Sequence, residues 1–204
     1  MYKVFFKDRI VFFEEDFQSS IRKNTGLFYK YGNKKELEEI VLTFFKLEKI
    51  PHLYLFNNDI NKLRRKFISC FTLIKASGGL VKRANGDFLV MKRNDVWDLP
   101  KGKKDRNERS KKTAIREVTE ECGLNGLTIT REIIKTYHTY TLNDAPVLKE
   151  TTWYEMVTID NKTPLPQLTE GISEIRWVKP GETAFITQNT YPSVIEVLKS
   201  CDLL

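Results

Sequence analysis

Cysteine and histidine are scarce in this 204-residue chain: three cysteines, Cys70, Cys122 and Cys201, and two histidines, His52 and His138. The cysteines are odd in number, far apart and form no CxxC pair. That argues against a zinc site and a disulfide framework, and it fits reduced thiols in a cytoplasmic compartment. Two histidines are too few for a histidine-built metal centre. Long apolar runs are also missing, and none approaches the roughly 18 residues of a membrane span. The opening MYKVFFKDRIVFFEEDF has charges around short apolar clusters and no small-residue cleavage site, so it does not read as a signal peptide. Repeats and low-complexity tracts are absent too. The expectation is a cytoplasmic chain with no membrane partner.

What is present fits a globular fold, with 41% hydrophobic and 12% aromatic residues. The length suffices for one full core, or for one domain and a smaller companion. A net charge of +7 suits a phosphate-rich ligand or a nucleic acid, and serves solubility equally well.

The first 74 residues read as a small α/β domain. YKVFF and IVFFEE flank Lys7-Asp8-Arg9 as a tight strand pair, and GLFYKY follows a polar stretch as another strand. Leu37, Ile40, Val41, Phe44 and Phe45 fall at helical spacing between Lys34 and Lys46, and HLYLF after Pro51 is a short strand. Asn57-Asn58-Asp59 offers caps for a helix bearing Ile60, Leu63, Phe67 and Ile68. Its basic side, Lys62, Arg64, Arg65 and Lys66, reads as a solvated face. Strands and helices alternate here without a helix-turn-helix pattern, so a nucleic-acid partner is not expected.

From residue 75 to 204 the pattern is strands, one helix, more strands and a final helix. Gly78-Gly79 opens a strand, Asn85-Gly86 signals a hairpin turn, and DFLVMKR returns. Leu127–Leu142, Glu150–Ile159 and Ile172–Val178 read as strands. SVIEVLKSC closes as a helix with Val194, Ile195 and Leu198 on one face. The fold class is α/β (α+β), with an acidic helix against a mixed sheet.

That helix carries the chemistry. Glu117, Glu120 and Glu121 stand at i, i+3 and i+4, so they share one face and repel one another. A hard divalent cation with oxygen ligands gives such a cluster a purpose, and a solvated acidic face is the plainer alternative. Asn107 is the expected N-cap with Glu108 in the first turn, and Gly123 the expected left-handed terminator. Ala114, Ile115, Val118 and Cys122 form an apolar stripe that must dock on the sheet. The carboxylates then emerge beside that contact, with small Thr113 between them leaving room for a bulky ligand.

The stretch from Gly102 to Leu124, GKKDRNERSKKTAIREVTEECGL, resembles the Nudix box, G-x5-E-x7-R-E-U-x-E-E-x-G-U, with U a bulky aliphatic residue. Gly102, Glu108, Arg116, Glu117, Val118, Glu120, Glu121, Gly123 and Leu124 fill every position. Seven fixed residues at about 6% usage each recur by chance on the order of once in 10⁸ to 10⁹ starting positions. The resemblance runs from about Ser77 to the C-terminus, includes the preceding WDLPKG, and does not cover the first domain.

The resemblance implies a Nudix-like mixed sheet packed between helices, and a Mg²⁺- or Mn²⁺-dependent hydrolase of diphosphate linkages in nucleotide or polyphosphate substrates. By the same resemblance Glu117, Glu120, Glu121 and the Lys101 backbone carbonyl would bind metal. Arg116 would hold the glutamates by forked hydrogen bonds, supported by Glu108. Glu120 is the first candidate for general base, and Glu170 and Glu174 are candidates outside the box. Trp97, Arg93, Lys101 and Lys103 are the expected substrate contacts. Trp97 and Tyr140 could stack on a base or simply pack, and His138 reads as a packing residue. The charge of Lys103, Lys104, Arg106, Arg109, Lys111 and Lys112 would suit long polyphosphates of the diadenosine or diphosphoinositol kind. The alternative is a nucleotide-sensing protein that keeps the fold without turnover, and the N-terminal domain could serve dimerisation or cover the site.

Overall fold

The structure, a computed structural model, describes residues 2–143, 145–160 and 162–204. It divides into two compact units: residues 1–73 with 137–149, and residues 74–136 with 150–204.

In the first unit, β1 (Lys3–Phe6) and β2 (Arg9–Glu14) form an antiparallel pair, turned at Lys7 with φ 57°. Then come α1 (Phe17–Lys23), β3 (Leu27–Lys30), α2 (Lys34–Lys46), β4 (His52–Phe56) and α3 (Ile60–Ile68). Strand β4 lies between β2 and β3, parallel to both. Helix α1 occupies what reads in sequence as a polar stretch, where seven residues carry too little apolar periodicity to announce a helix. Its Phe17 is anchored edge-on to Phe56 at 4.7 Å between centroids.

Helix α2 begins where Asn33 accepts from the Glu36 amide at 3.0 Å, while Glu36 accepts from the Asn33 side chain at 2.8 Å. It ends against the Arg9 guanidinium, which donates to the Phe44 and Leu47 carbonyls at 2.5 and 3.1 Å, a cation at the negative end of the helix. Asp59 caps α3 by accepting from the Lys62 amide at 2.8 Å. Leu37, Val41 and Phe44 of α2, with Leu63 and Phe67 of α3, are buried against Val4, Phe6, Val11, Leu53 and Leu55. Each such side chain, fully buried, contributes about 1.5–3 kcal/mol.

The second unit contains β5 (Thr72–Lys82, from residue 74), β6 (Phe88–Arg93), β7 (Val96–Asp98), β8 (Lys101–Lys103), α4 (Ser110–Cys122), β9 (Leu127–Leu142) and β10 (Ala145–Thr158). A 3-10 turn (Leu168–Glu170), β11 (Ile172–Val178), α5 (Ala184–Thr187) and α6 (Pro192–Lys199) complete it. The far ends of β9 and β10 group with the first unit. Strand order is β11-β6-β5-β10-β9, with β7 on β6 and β8 on β5.

Side chains alternate across a strand, so neighbours such as Leu80 and Val81, Phe88 and Leu89, or Trp153 and Tyr154 serve opposite faces. One set packs with Val194, Val197 and Leu198 of α6, the other with Ala114, Val118 and Cys122 of α4. This is the sheet between helices expected from sequence. Two details differ. Strand β5 starts at Thr72, well before Gly78-Gly79, and the buried face of α6 is Ser193, Val194, Val197 and Leu198, leaving Ile195 half-buried.

Candidate active site

Helix α4 is set on the sheet by Ala114, Val118 and Cys122, all fully buried. It stops at Gly123, whose φ of 66° is left-handed and whose amide donates to the Thr119 carbonyl at 2.9 Å. With the apolar stripe fixed, Thr113, Glu117 and Glu121 are drawn under the helix at 0%, 9% and 2% exposure, while Glu120 stays exposed.

The start of the helix differs from expectation. Asn107 is not its cap: it has φ 65°, and Arg109 occupies the cap position without a side-chain bond. Glu108 therefore precedes the first turn. Its oxygens are taken by Arg116, whose Nε and Nη2 donate at 3.1 and 2.9 Å, and by the Thr113 hydroxyl at 2.8 Å. Thr113 is thus a buried support for Glu108, its hydroxyl committed to that carboxylate.

Arg116 ties the acidic face together. Its Nη1 lies 2.8 Å from Glu117 and 3.0 Å from Glu120, and its Nη2 also donates to the Lys103 carbonyl at 3.2 Å. Strand β8 runs alongside, paired to β5 with Gly102 opposite Ser77. The absence of a side chain at Gly102 is what admits Glu117, since a Cβ built there would overlap the Glu117 carboxylate.

Two further elements reach the helix. Lys101 donates its amide to Glu121 at 2.8 Å. Arg93, at the end of β6, donates from Nη1 to Glu121 at 2.9 Å, from Nε to the Glu170 carbonyl at 3.0 Å, and from Nη2 to the Glu170 carboxylate. The loop leading to Glu170 is fastened to the end of α4, where the Leu165 and Gln167 amides donate to the Cys122 and Glu121 carbonyls at 2.9 and 3.2 Å. Glu108, Glu117, Glu120, Glu121 and Glu170 thereby surround two guanidinium groups beside the backbone of 101–103.

A family model of the NUDIX domain matches residues 72–197. The chain belongs to the Nudix family. Among solved structures it is similar to an Ap4A hydrolase of C. elegans, at 20% identity and TM-score 0.46 over 63% of this chain and 94% of that one. It is also similar to the E. coli ORF135 protein, at 18% and 0.47 over 65% and 91%. A MutT protein from Methanosarcina mazei Go1 matches at 20% and 0.46 over 61% and 88%.

Within this Nudix site the electrostatics follow burial. Glu121 is pushed up to about 7, chiefly by burial, against the pull of Arg93 and Lys101. Glu117 is raised, again first by burial, with Arg116 opposing and Glu120 and Glu170 adding to the rise. Glu108 goes the other way, held down at about 2 foremost by its hydrogen bonds from Arg116.

Among the described residues no three His, Cys, Asp or Glu side chains stand together at metal-ligand spacing. Glu117 and Glu120 face Arg116, and Glu121 faces Arg93 and the Lys101 amide. The donor chemistry nevertheless fits a hard divalent ion: oxygen ligands only, an excess of negative charge, and the glycine backbone of β8 instead of a side chain against Glu117. The residues that would hold it are Glu117, Glu120 and Glu121, with the Lys101 carbonyl.

The expected substrate contacts have varied surroundings. The Lys101 ammonium is bound to buried Asp98 at 2.6 Å, a partner the sequence did not flag. Lys103 is exposed. Trp97 is 7% exposed and packs edge-on to Phe185 at 4.9 Å, so it belongs to the core and presents no open face to a base. Arg93 is engaged with two glutamates. Glu174 pairs with Arg176 of its own strand at 2.6 Å. His138 and Tyr140 lie in the 137–149 stretch that groups with the first unit.

Proposed function

We propose that this Nudix chain is a Mg²⁺- or Mn²⁺-dependent diphosphohydrolase that cleaves a phosphoanhydride in a nucleoside diphosphate-X or polyphosphate substrate. The residues assigned to the reaction all lie within 75–204, and residues 1–74, of which 1–73 group with 137–149 in a compact unit of their own, serve an accessory role. The observation that carries the reading is the gathering of five glutamates around Arg116 and Arg93 beside the side-chain-free backbone at Gly102. Nothing in the folding of an α-helix requires that concentration of like charge.

A bound divalent ion would neutralise non-bridging phosphate oxygens and favour deprotonation of water. The chain's own groups do the rest. Arg116 fixes the spacing of Glu117 and Glu120, and Glu108 with Thr113 fixes Arg116. As water oxygen bonds to phosphorus and the bridging P–O bond breaks, the water proton passes to a carboxylate. Of the five glutamates, Glu120 and Glu170 have the most exposed side chains, at 48% and 51%, and are the two candidates to take it. The exposed cations Lys103, Arg106, Arg109, Lys111 and Lys112 beside the site favour a polyanionic substrate.

The test is release of phosphate, pyrophosphate or a nucleotide product from dinucleoside polyphosphates, nucleoside triphosphates, nucleotide sugars and diphosphoinositols, with Mg²⁺, Mn²⁺ or EDTA. Metal-dependent turnover of at least one is expected. Tight binding without turnover across the panel would instead make the chain a nucleotide sensor.

A further inference from the structure

We infer that Arg93 is a positioning residue: it holds the Glu170 carboxylate against the carboxylate helix, and its role is distinct from gripping substrate phosphate. The inference rests on the diphosphohydrolase reading above and names what keeps the non-helical carboxylate in place.

Glu170 sits at the end of a short 3-10 turn on a connecting loop, with its side chain half exposed. Left alone, it would be driven outward by Glu117, Glu120 and Glu121, because like charges at short range repel. Among the described residues its ion-pair partner is Arg93. That guanidinium is 21% exposed and uses all three nitrogens: Nη2 on the Glu170 carboxylate, Nε on the Glu170 carbonyl at 3.0 Å, and Nη1 on Glu121 at 2.9 Å.

The backbone on either side repeats the link. Asn94 donates its amide to the Gly171 carbonyl at 3.0 Å, and Arg93 and Ile172 are register partners next to an irregularity in the β6–β11 pairing. The other end of the loop is fixed by the Leu165 and Gln167 amides on the α4 carbonyls. Residues 165–171 therefore form a strap held by α4 backbone at one end and by the β6 tip at the other. Only the second attachment contains a side chain that reads the carboxylate itself. A planar fork can address Glu121 and Glu170 at once in fixed directions, and a lysine ammonium cannot reproduce that.

The experiment compares wild type, Arg93→Lys, Glu170→Gln and the double variant in the full chain. It measures steady-state kinetics on the best substrate of the panel and amide exchange of the peptide spanning Gln167–Ile172. In Arg93→Lys, strap exchange should rise about tenfold or more from the lost charge-assisted bonds, while peptides in β5 and α6 keep wild-type exchange. The kcat should fall by about 10²-fold, as expected for a misplaced group, with KM within about threefold of wild type. The loss in the double variant should be clearly smaller than the product of the two single losses, because Arg93 acts chiefly through Glu170 and only its bond to Glu121 lies outside that route.

A raised KM with unchanged kcat and strap exchange would make Arg93 a substrate contact and overturn the inference. Additive kinetic losses in the double variant would overturn it too. Should no substrate be turned over, the hydrolase reading fails, yet the exchange arm still decides: an unloosened strap in Arg93→Lys refutes the positioning role, and a loosened one supports it.

Discussion

Gly102→Ala tests the site through a single methyl group. Gly102 lies mid-strand in β8, opposite Ser77, and has no positive φ, so the backbone itself accepts alanine. The obstacle is Glu117, whose carboxylate occupies the space a Cβ would take. Glu117 is anchored in α4 by the buried stripe, so the helix cannot retreat, and the carboxylate must swing away from its 2.8 Å contact with Arg116. Losing one charge-assisted hydrogen bond costs about 1.5–3 kcal/mol, and the stiffer unfolded chain returns about 0.4–1 kcal/mol. The net is about 1–2 kcal/mol of destabilisation, or roughly 2–8 °C in Tm for a chain of this length. A ligand group displaced by about 1 Å should also lower turnover by about 10²-fold. Calorimetric melts with and without Mg²⁺, alongside product release, measure both. The control is the same substitution in a Glu117→Ala background, where the clash no longer exists and alanine should cost no further stability. Wild-type melting and turnover in Gly102→Ala, or an equal loss in the Glu117→Ala background, would refute the reasoning.

Two further outcomes follow from the pKa directions and the arginine fork. Mg²⁺ at about 100 times its Kd should stabilise the chain by about 2.7 kcal/mol, and Glu121→Gln should remove most of the Tm increase. Because Glu121 holds its proton up to about 7 when folded, above its ordinary value of 4.5, its burial costs stability increasingly as pH rises through that window. On the proposed metal-dependent reading the ion is bound by the ionised carboxylate, so the Mg²⁺-induced rise in Tm should be small near pH 5.5 and full by pH 8; a pH-independent rise would remove Glu121 from the proposed ligand set. Arg116→Lys should lose about 2–3 kcal/mol at pH 7 in urea unfolding, since one ammonium cannot serve Glu108, Glu117 and Glu120 together. Glu108 is held down at about 2, so its contribution is complete above the ordinary carboxylate value and fades as pH falls towards 2. The gap between wild type and Arg116→Lys should narrow over that range, and a constant gap would contradict the pairing.

The part of the site that sequence makes legible is the part whose partners are close in the chain. Arg116 meets Glu108, Glu117 and Glu120 within eight residues, so helical periodicity nearly amounts to geometry there. The same logic misplaced the helix start. Asn107 has a capping side chain, but it tolerates the left-handed φ of 65° that turns the chain towards the helix, and Glu108 is committed to Arg116 and Thr113 before α4 begins. Trp97 likewise offers a stacking surface by residue type, and only the packing of Phe185 on it reveals a core position.

What spacing cannot reveal is the second attachment of the acidic face. Arg93 is 28 residues from Glu121 and 77 from Glu170, and the link exists because β6 and β11 are neighbours in the sheet. No periodicity connects them. The box supplies carboxylates on a helix that any sufficiently apolar sheet could seat, whereas the strap around Glu170 depends on a particular strand order. If Arg93→Lys loosens that strap while α4 keeps its melting behaviour, the helical part of the site is encoded locally and its completion is encoded by topology. The loops attached to that topology are then where selection of the substrate's second moiety should be sought.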